Sequence, residues 1–110
     1  FDGGDPVAGP ADDLRVISLF ERGVREAESL AHDTAAQAEL FRTLGRLYQK
    51  LGHFAEADDL LSRAAALVPS DSPEGLDTLT ARSDLRIDQA RFDEAEQFAR
   101  QAIVLAEQQV

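Results

Sequence analysis

From Asp13 onward, apolar residues recur every three or four positions, the spacing that lines up one face of an α-helix. Leu14, Ile17, Phe20, Val24, Ala27 and Ala31 share such a face, with Arg15, Glu21, Arg22, Arg25 and Glu28 on the other side, which predicts a helix over 12–31. Thr34 and Gln37 have the spacing of a capping box, each side chain reaching the other's free backbone N–H. They open a second helix through Leu40, Phe41, Leu44, Leu47, Tyr48 and Leu51, closed by Gly52, which tolerates left-handed backbone. A third helix turns Phe54, Ala57, Leu60, Leu61, Ala64 and Leu67 inward and has Pro69 past its end. Ser72 as cap and Pro73 at the first helical position start a fourth over 73–89, with Leu76, Leu79, Ser83 and Ile87 as its inner face. That series is the least regular of the five. Phe92, Ala95, Phe98, Ala99, Ala102, Ile103 and Leu105 supply the packing positions of the last. Connections this short make neighbouring helices antiparallel. Ahead of them, residues 1–11 are rich in glycine and proline and read as an irregular leader, leaving 12–110 as one helical domain.

The third and fifth segments are related. At an offset of 38 residues, Phe54, Glu56, Ala57, Ala64 and Leu67 fall on Phe92, Glu94, Ala95, Ala102 and Leu105. Self-similarity of helix–turn–helix units at such a period is the mark of a solenoid. The first unit, 34–69, resembles the tetratricopeptide repeat (TPR) family. Phe41, Leu44, Gly45, Tyr48, Ala57, Ala64 and Pro69 all stand in register with that family's pattern, counted from Ala38. Small Gly45 and Ala57 let two helices approach, Phe41 and Tyr48 fill the wider spaces, Gly52 makes the turn and Pro69 stops the second helix. The second unit, 72–108, departs from the pattern: Arg82 and Arg86 replace Leu and Tyr, Ser83 replaces the helix glycine, and Ala90 the turn glycine. Two arginines at core-like positions must run their stems along apolar surface or face an unfilled side. The 12–31 helix resembles the second half of a preceding repeat. The implied fold is all-α, a right-handed TPR-like α-solenoid of five antiparallel helices, two and a half repeats in all.

The order of leader, helix and repeats also resembles the tail of bacterial serine/threonine kinases of eukaryotic type. In that family a kinase domain, often with one membrane span, precedes such repeats. The chain carries no kinase motif of its own: "FDGG" is not a metal-binding Asp-Phe-Gly, and neither a Gly-rich phosphate loop nor His-Arg-Asp occurs. The chain starts at Phe1 rather than Met and reads as a fragment of a longer protein. The compartment stays open: cytoplasmic, or extracytoplasmic for a kinase tail that follows a membrane span.

Composition narrows the chemistry. Twenty-one acidic residues against eleven Lys and Arg leave a formal net charge of -10, which opposes nucleic acid and anionic membranes; the surplus reads as a solubilising surface, with a preference for basic partners as the alternative. Absence of cysteine removes thiol catalysis and cysteine metal sites, and no apolar run of about eighteen residues exists to span a bilayer. His32 and His53 fall at helix ends and read as exposed turn residues, so no metal or cofactor is expected. The acidic pairs Asp12-Asp13 and Asp58-Asp59 read as solvated faces. Asp93, Glu94 and Glu96 suit the positive end of a helix dipole. No serine has a His–Asp partner set, and enzymatic activity is not expected of this chain.

Stacked hairpins curve, and the first helix of each repeat lines the concave side. The TPR resemblance implies groove positions at Glu39, Arg42, Thr43, Arg46, Gln49 and Lys50 in the first repeat. In the second they are Asp77, Thr80, Ala81, Asp84, Ile87 and Asp88. These positions imply a groove basic at one end and acidic at the other. Some members of the family clamp a terminal carboxylate with lysines and asparagines, but this chain has no asparagine. Arg42 and Arg46, one turn apart, are the pair suited to an acidic group. The expected function is a non-catalytic module that binds a protein or peptide in this groove. The alternative is self-association into a homodimer through the ends of the array, motivated by the apolar fifth helix.

Overall fold

The computed structural model describes residues 10–109 and contains five helices: α1 (Pro10–Glu28), α2 (Thr34–Lys50), α3 (Phe54–Leu67), α4 (Pro73–Asp88) and α5 (Phe92–Gln108). Among the described residues there is no strand. Each helix packs on the next in sequence, and α2 additionally packs on α4. This is the layering of an array rather than of a closed bundle.

The N-terminal boundaries differ from the sequence reading. Helix α1 begins at Pro10, inside the expected leader, and stops at Glu28 rather than residue 31. The stop is built by Ser29, whose backbone N–H and hydroxyl both turn back onto the last helical turn (Oγ to Glu26 O, 2.6 Å), so Ala31 lies exposed in a turn. The remainder of the leader, residues 1–9, lies outside the described residues. The capping box at Thr34 and Gln37 does not form. Asp33 caps α2 instead, accepting the Ala36 N–H at 3.1 Å. Gln37 is buried, and its Nε2 donates to Ala27 O at the C-terminal end of α1 at 3.0 Å. A carboxylate is the stronger acceptor at a helix N-terminus, which frees the glutamine to satisfy a backbone carbonyl across the α1–α2 junction.

The two hairpins have the same closure. His53 N–H donates to Tyr48 O at 2.9 Å and Gly52 N–H to Gln49 O, while 38 residues on Arg91 N–H donates to Arg86 O at 2.7 Å and Ala90 N–H to Ile87 O. Both turns need a left-handed residue: Gly52 at φ 80° and Ala90 at φ 60°. Alanine pays for that conformation and glycine does not. Ala90→Gly is therefore expected to raise stability by about 0.5–1 kcal/mol, read as a higher urea midpoint with unchanged m-value.

The core is shared by α1, α2, α3 and α4: Ala27, Phe41, Leu44, Tyr48, Ala57, Leu60, Leu61, Ala64, Ala81 and Leu85 are buried together. Small residues set the interhelical distance. A β-carbon on Gly45 would sit 3.0 Å from Leu61 Cγ and 3.3 Å from the Ala57 carbonyl oxygen. At the matching place in the second hairpin, Ser83 Oγ donates to Ala95 O at 2.8 Å. The hydroxyl thus turns the same close approach into a hydrogen bond.

Helix α4 presents a different face from the one its sequence suggests. Thr78, Ala81 and Leu85 are fully buried, with Gly75, Ser83 and Arg86 also inside, whereas Leu76 and Leu79 are half-buried and Ile87 is exposed. The reason is its position. It packs on α2, α3 and α5 at once, so its buried arc is broad and is not marked by large aliphatic side chains alone. Helix α5, at the end of the array, buries only Ala95; Phe98, Ala99, Ala102 and Leu105 are half-covered, and Phe92 and Ile103 face solvent.

Candidate interaction surface

Because α2 and α4 lie side by side, their outward residues form one surface. Arg46 Nη2 meets Asp84 Oδ2 at 3.2 Å, and Gln49 Nε2 donates to Asp88 Oδ2 at 2.7 Å. Higher up the same seam, Arg42 Nη1 approaches Thr78 Oγ1 at 3.5 Å. These partners are 36 to 39 residues apart in sequence, so the seam is a product of the repeat.

The pairing corrects the expected charge distribution. The basic set on α2 and the acidic set on α4 sit opposite each other and partly neutralise across the seam, rather than occupying two ends. Arg46 and Asp84 remain about half exposed, so their pair contributes on the order of 0–1 kcal/mol and opens readily to a competing partner.

At the C-terminal ends of the two helices the surface dips into a depression of about 450 Å³, lined by Arg46, Gln49, Lys50, Asp84, Ile87 and Asp88. Ile87 supplies an exposed aliphatic group among polar ones. The Gln49 Oε1 atom is buried there with no hydrogen-bond partner, an acceptor left open. Of the other groove positions, Glu39, Thr43, Asp77 and Thr80 are exposed on the same two helices without lining the depression. The Thr80 hydroxyl is committed to Leu76 O at 3.1 Å. Ala81 is fully buried and belongs to the core, not to the groove.

Behind this surface lies a cluster whose arginines stand out in the sequence but whose pairing does not. Arg86, only 6% exposed, meets Asp58 Oδ1 of α3 at 2.9 Å and Glu94 Oε1 of α5 at 3.0 Å, and donates to Gln89 Oε1 at 2.8 Å. Asp58 is thus not a merely solvated acid, and Glu94 does more than face a helix dipole. Arg82 lies with its guanidinium 4.6 Å from the centre of the Phe98 ring, and Nη2 reaches Ser62 Oγ at 3.4 Å. Burial, above all, holds Arg82 below its ordinary pKa; Asp58 works against this and Arg86 adds to it. Arg86 does not run out to solvent, and Arg82, half-buried, lies over the Phe98 ring. The two cations fill the Leu and Tyr positions of the repeat by stacking on Phe98 and by recruiting carboxylates from the neighbouring helices.

Tyr48, 4% exposed, is the one buried phenol, and burial first, then the Glu21 and Glu56 carboxylates, raise its pKa above the ordinary 10.0. His53, which meets its ring edge-on, and Arg25, Asp59 and Arg63 are the other ionisable groups near it. A raised folded-state pKa means that the native state holds the proton more tightly than the unfolded chain. The resulting stability is complete below pH 10 and lost as pH rises toward the folded value. Urea midpoints measured upward from pH 9 are expected to fall more steeply for the natural chain than for Tyr48→Phe.

Residues 38–71 match the family model described as Tetratricopeptide repeat, a span that contains α2 from Ala38 onward, all of α3 and the start of the turn that follows. Comparison with curated proteins and with solved structures brings up no match. With five helices, no strand among the described residues and this match, the fold is an all-α, TPR-like solenoid. Among the described residues, no helix is long and apolar enough to cross a membrane, and no group of His, Cys, Asp and Glu is placed to hold a metal ion.

Proposed function

We propose that this chain is a non-catalytic interaction module that binds a protein or peptide along the α2–α4 surface. Repeats of the matched family generally mediate protein–protein interaction. The observation that carries the reading is the depression at Arg46, Gln49, Lys50, Asp84, Ile87 and Asp88. It combines one exposed aliphatic anchor with Lys50, re-partnerable charges and an open buried acceptor, the mixture that a peptide with alternating apolar and polar groups satisfies. Peptides selected by display against the whole chain test it. Ile87→Asp and Lys50→Glu, both at exposed positions, are expected to weaken such peptides by about tenfold or more while leaving the helical circular dichroism intact. Unchanged affinity in both variants counts against the surface.

Self-association is the second reading, favoured by one observation. Phe92, Ile103 and Val104 are 64%, 59% and 50% exposed on α5, a helix that buries only Ala95. A monomer at every concentration in sedimentation equilibrium removes it. As to context, the resemblance to kinase tails supports a regulatory role within a longer serine/threonine kinase, which the coding sequence upstream of Phe1 tests directly.

A further inference from the structure

Close backbone approaches in this array join consecutive helices, or α2 with α4; α1 and α3 make none with each other. A cavity of about 590 Å³ opens between them, away from the α2–α4 seam. Its apolar lining comes from Val24 of α1 and Ala55 and Leu60 of α3. The charged groups around it are unequally satisfied. Arg63 pairs with Glu28 at 2.8 Å and with Asp59 at 3.8 Å, and lies 4.3 Å from the centre of the Phe41 ring. Glu21 has no ion pair among the described residues, and Glu56 has only His53 Nδ1 at 4.0 Å.

Tyr48 lines the same cavity. The edges of Phe20, at 5.2 Å, and His53, at 6.1 Å, hold its ring, the residue as a whole is 96% buried, and its hydroxyl, which reaches solvent, has no hydrogen-bond partner among the described residues. Both carboxylates belong to residues that line the same cavity as Tyr48. Two under-neutralised carboxylates and an unpartnered hydroxyl therefore line one cavity that has an aliphatic floor. A hydroxyl without a partner is free to accept a hydrogen bond, and carboxylates without a close counter-ion attract a cation.

We propose that this cavity seats a lysine side chain of a partner protein. Its ammonium lies between Glu21 and Glu56 with the Tyr48 oxygen as third acceptor, and its methylene stem covers Val24 and Leu60. Three acceptors match the three N–H groups of an ammonium, and a long apolar stem is what the floor accommodates. Arg25, one helical turn from Glu21 and without an ion pair among the described residues, confines the seat to a single cation. The net charge of -10 draws basic partners toward the chain. This site is separate from the α2–α4 surface, and either can fail without the other.

The chain contains one tyrosine and no tryptophan, so tyrosine fluorescence reports this seat alone. The probe is a blocked pentapeptide, acetyl-Ala-Ala-Lys-Ala-Ala-amide, titrated against the whole chain beside its norleucine counterpart, which keeps the stem and lacks the charge. The lysine peptide is expected to give a saturable change that weakens with salt, and the norleucine peptide to bind at least about fivefold more weakly. Glu21→Gln with Glu56→Gln, both exposed positions, is expected to weaken the lysine peptide by about tenfold, and Tyr48→Phe, followed by amide shifts of α1 and α3, by about threefold. Equal binding of the two peptides, no saturation by about 10 mM, or unchanged affinity in the double variant overturns the proposal.

Discussion

Arg86→Ala is expected to lower the unfolding free energy by about 2–4 kcal/mol. The guanidinium is 6% exposed and joins three helices: Asp58 of α3, Glu94 of α5 and its own α4. Truncation removes a buried cation, its stacking on Phe98 at 5.7 Å, and the neutralisation of two carboxylates at once. Those carboxylates are 37% and 41% exposed, so water takes over part of their solvation and the loss stays below that of a fully buried pair. The cause is distinguishable from simple loss of volume. Arg86→Leu alone should remain clearly destabilised, whereas Arg86→Leu with Asp58→Asn and Glu94→Gln should recover most of the loss, because no unpaired charge is left behind. Urea denaturation followed at 222 nm checks the series. If Arg86→Leu alone matches the natural chain, the ion cluster contributes nothing.

Gly45→Val is expected to cost about 3 kcal/mol or more, although glycine is a poorer helix former than valine. A first carbon there already meets Leu61 at 3.0–3.1 Å and the Ala57 carbonyl at 3.3 Å; two further methyl groups have no space unless α2 and α3 separate. Leu61 is fully buried and the Ala57 carbonyl belongs to helix backbone, so neither yields cheaply. Gly45→Ala, which adds the first carbon only, should lie between the two. Thermal midpoints of the three proteins check the order, and a Val variant as stable as the natural chain would mean that the close approach does not set the packing.

Much of this architecture was legible in the sequence because its first hairpin is built from residues with only one good use. Gly45, Gly52, Ala57 and Pro69 stand where a close crossing, a left-handed turn and a helix stop require them, and the structure places each in that role. What stayed hidden is pairing that depends on the register between repeats. Thr34 and Gln37 satisfy a local capping rule, but Asp33 is the better acceptor and Ala27 supplies a carbonyl that no local pattern reveals. On α4, periodicity selected Leu76, Leu79, Ser83 and Ile87; of these only Ser83 is buried, and burial otherwise fell on Thr78, Ala81 and Leu85, because a helix enclosed by three neighbours has no single apolar stripe. Arg86 was recognised as an anomaly. Its partners lie 28 residues before it and 8 after it in sequence, on two other helices, and the offset that aligns the hairpins does not pair them. The groove positions were enumerable from the repeat, yet their mutual neutralisation at Arg46 and Asp84 became visible only with α2 and α4 in place.

The most direct measurement of the central claim is amide chemical-shift mapping of the ¹⁵N-labelled chain as a display-selected peptide is added. Binding along the α2–α4 surface predicts the largest shifts at Arg46, Gln49, Lys50, Asp84, Ile87 and Asp88, with α1 and α5 little changed. Shifts concentrated on α5, or spread over the chain without a maximum on α2 and α4, would contradict it.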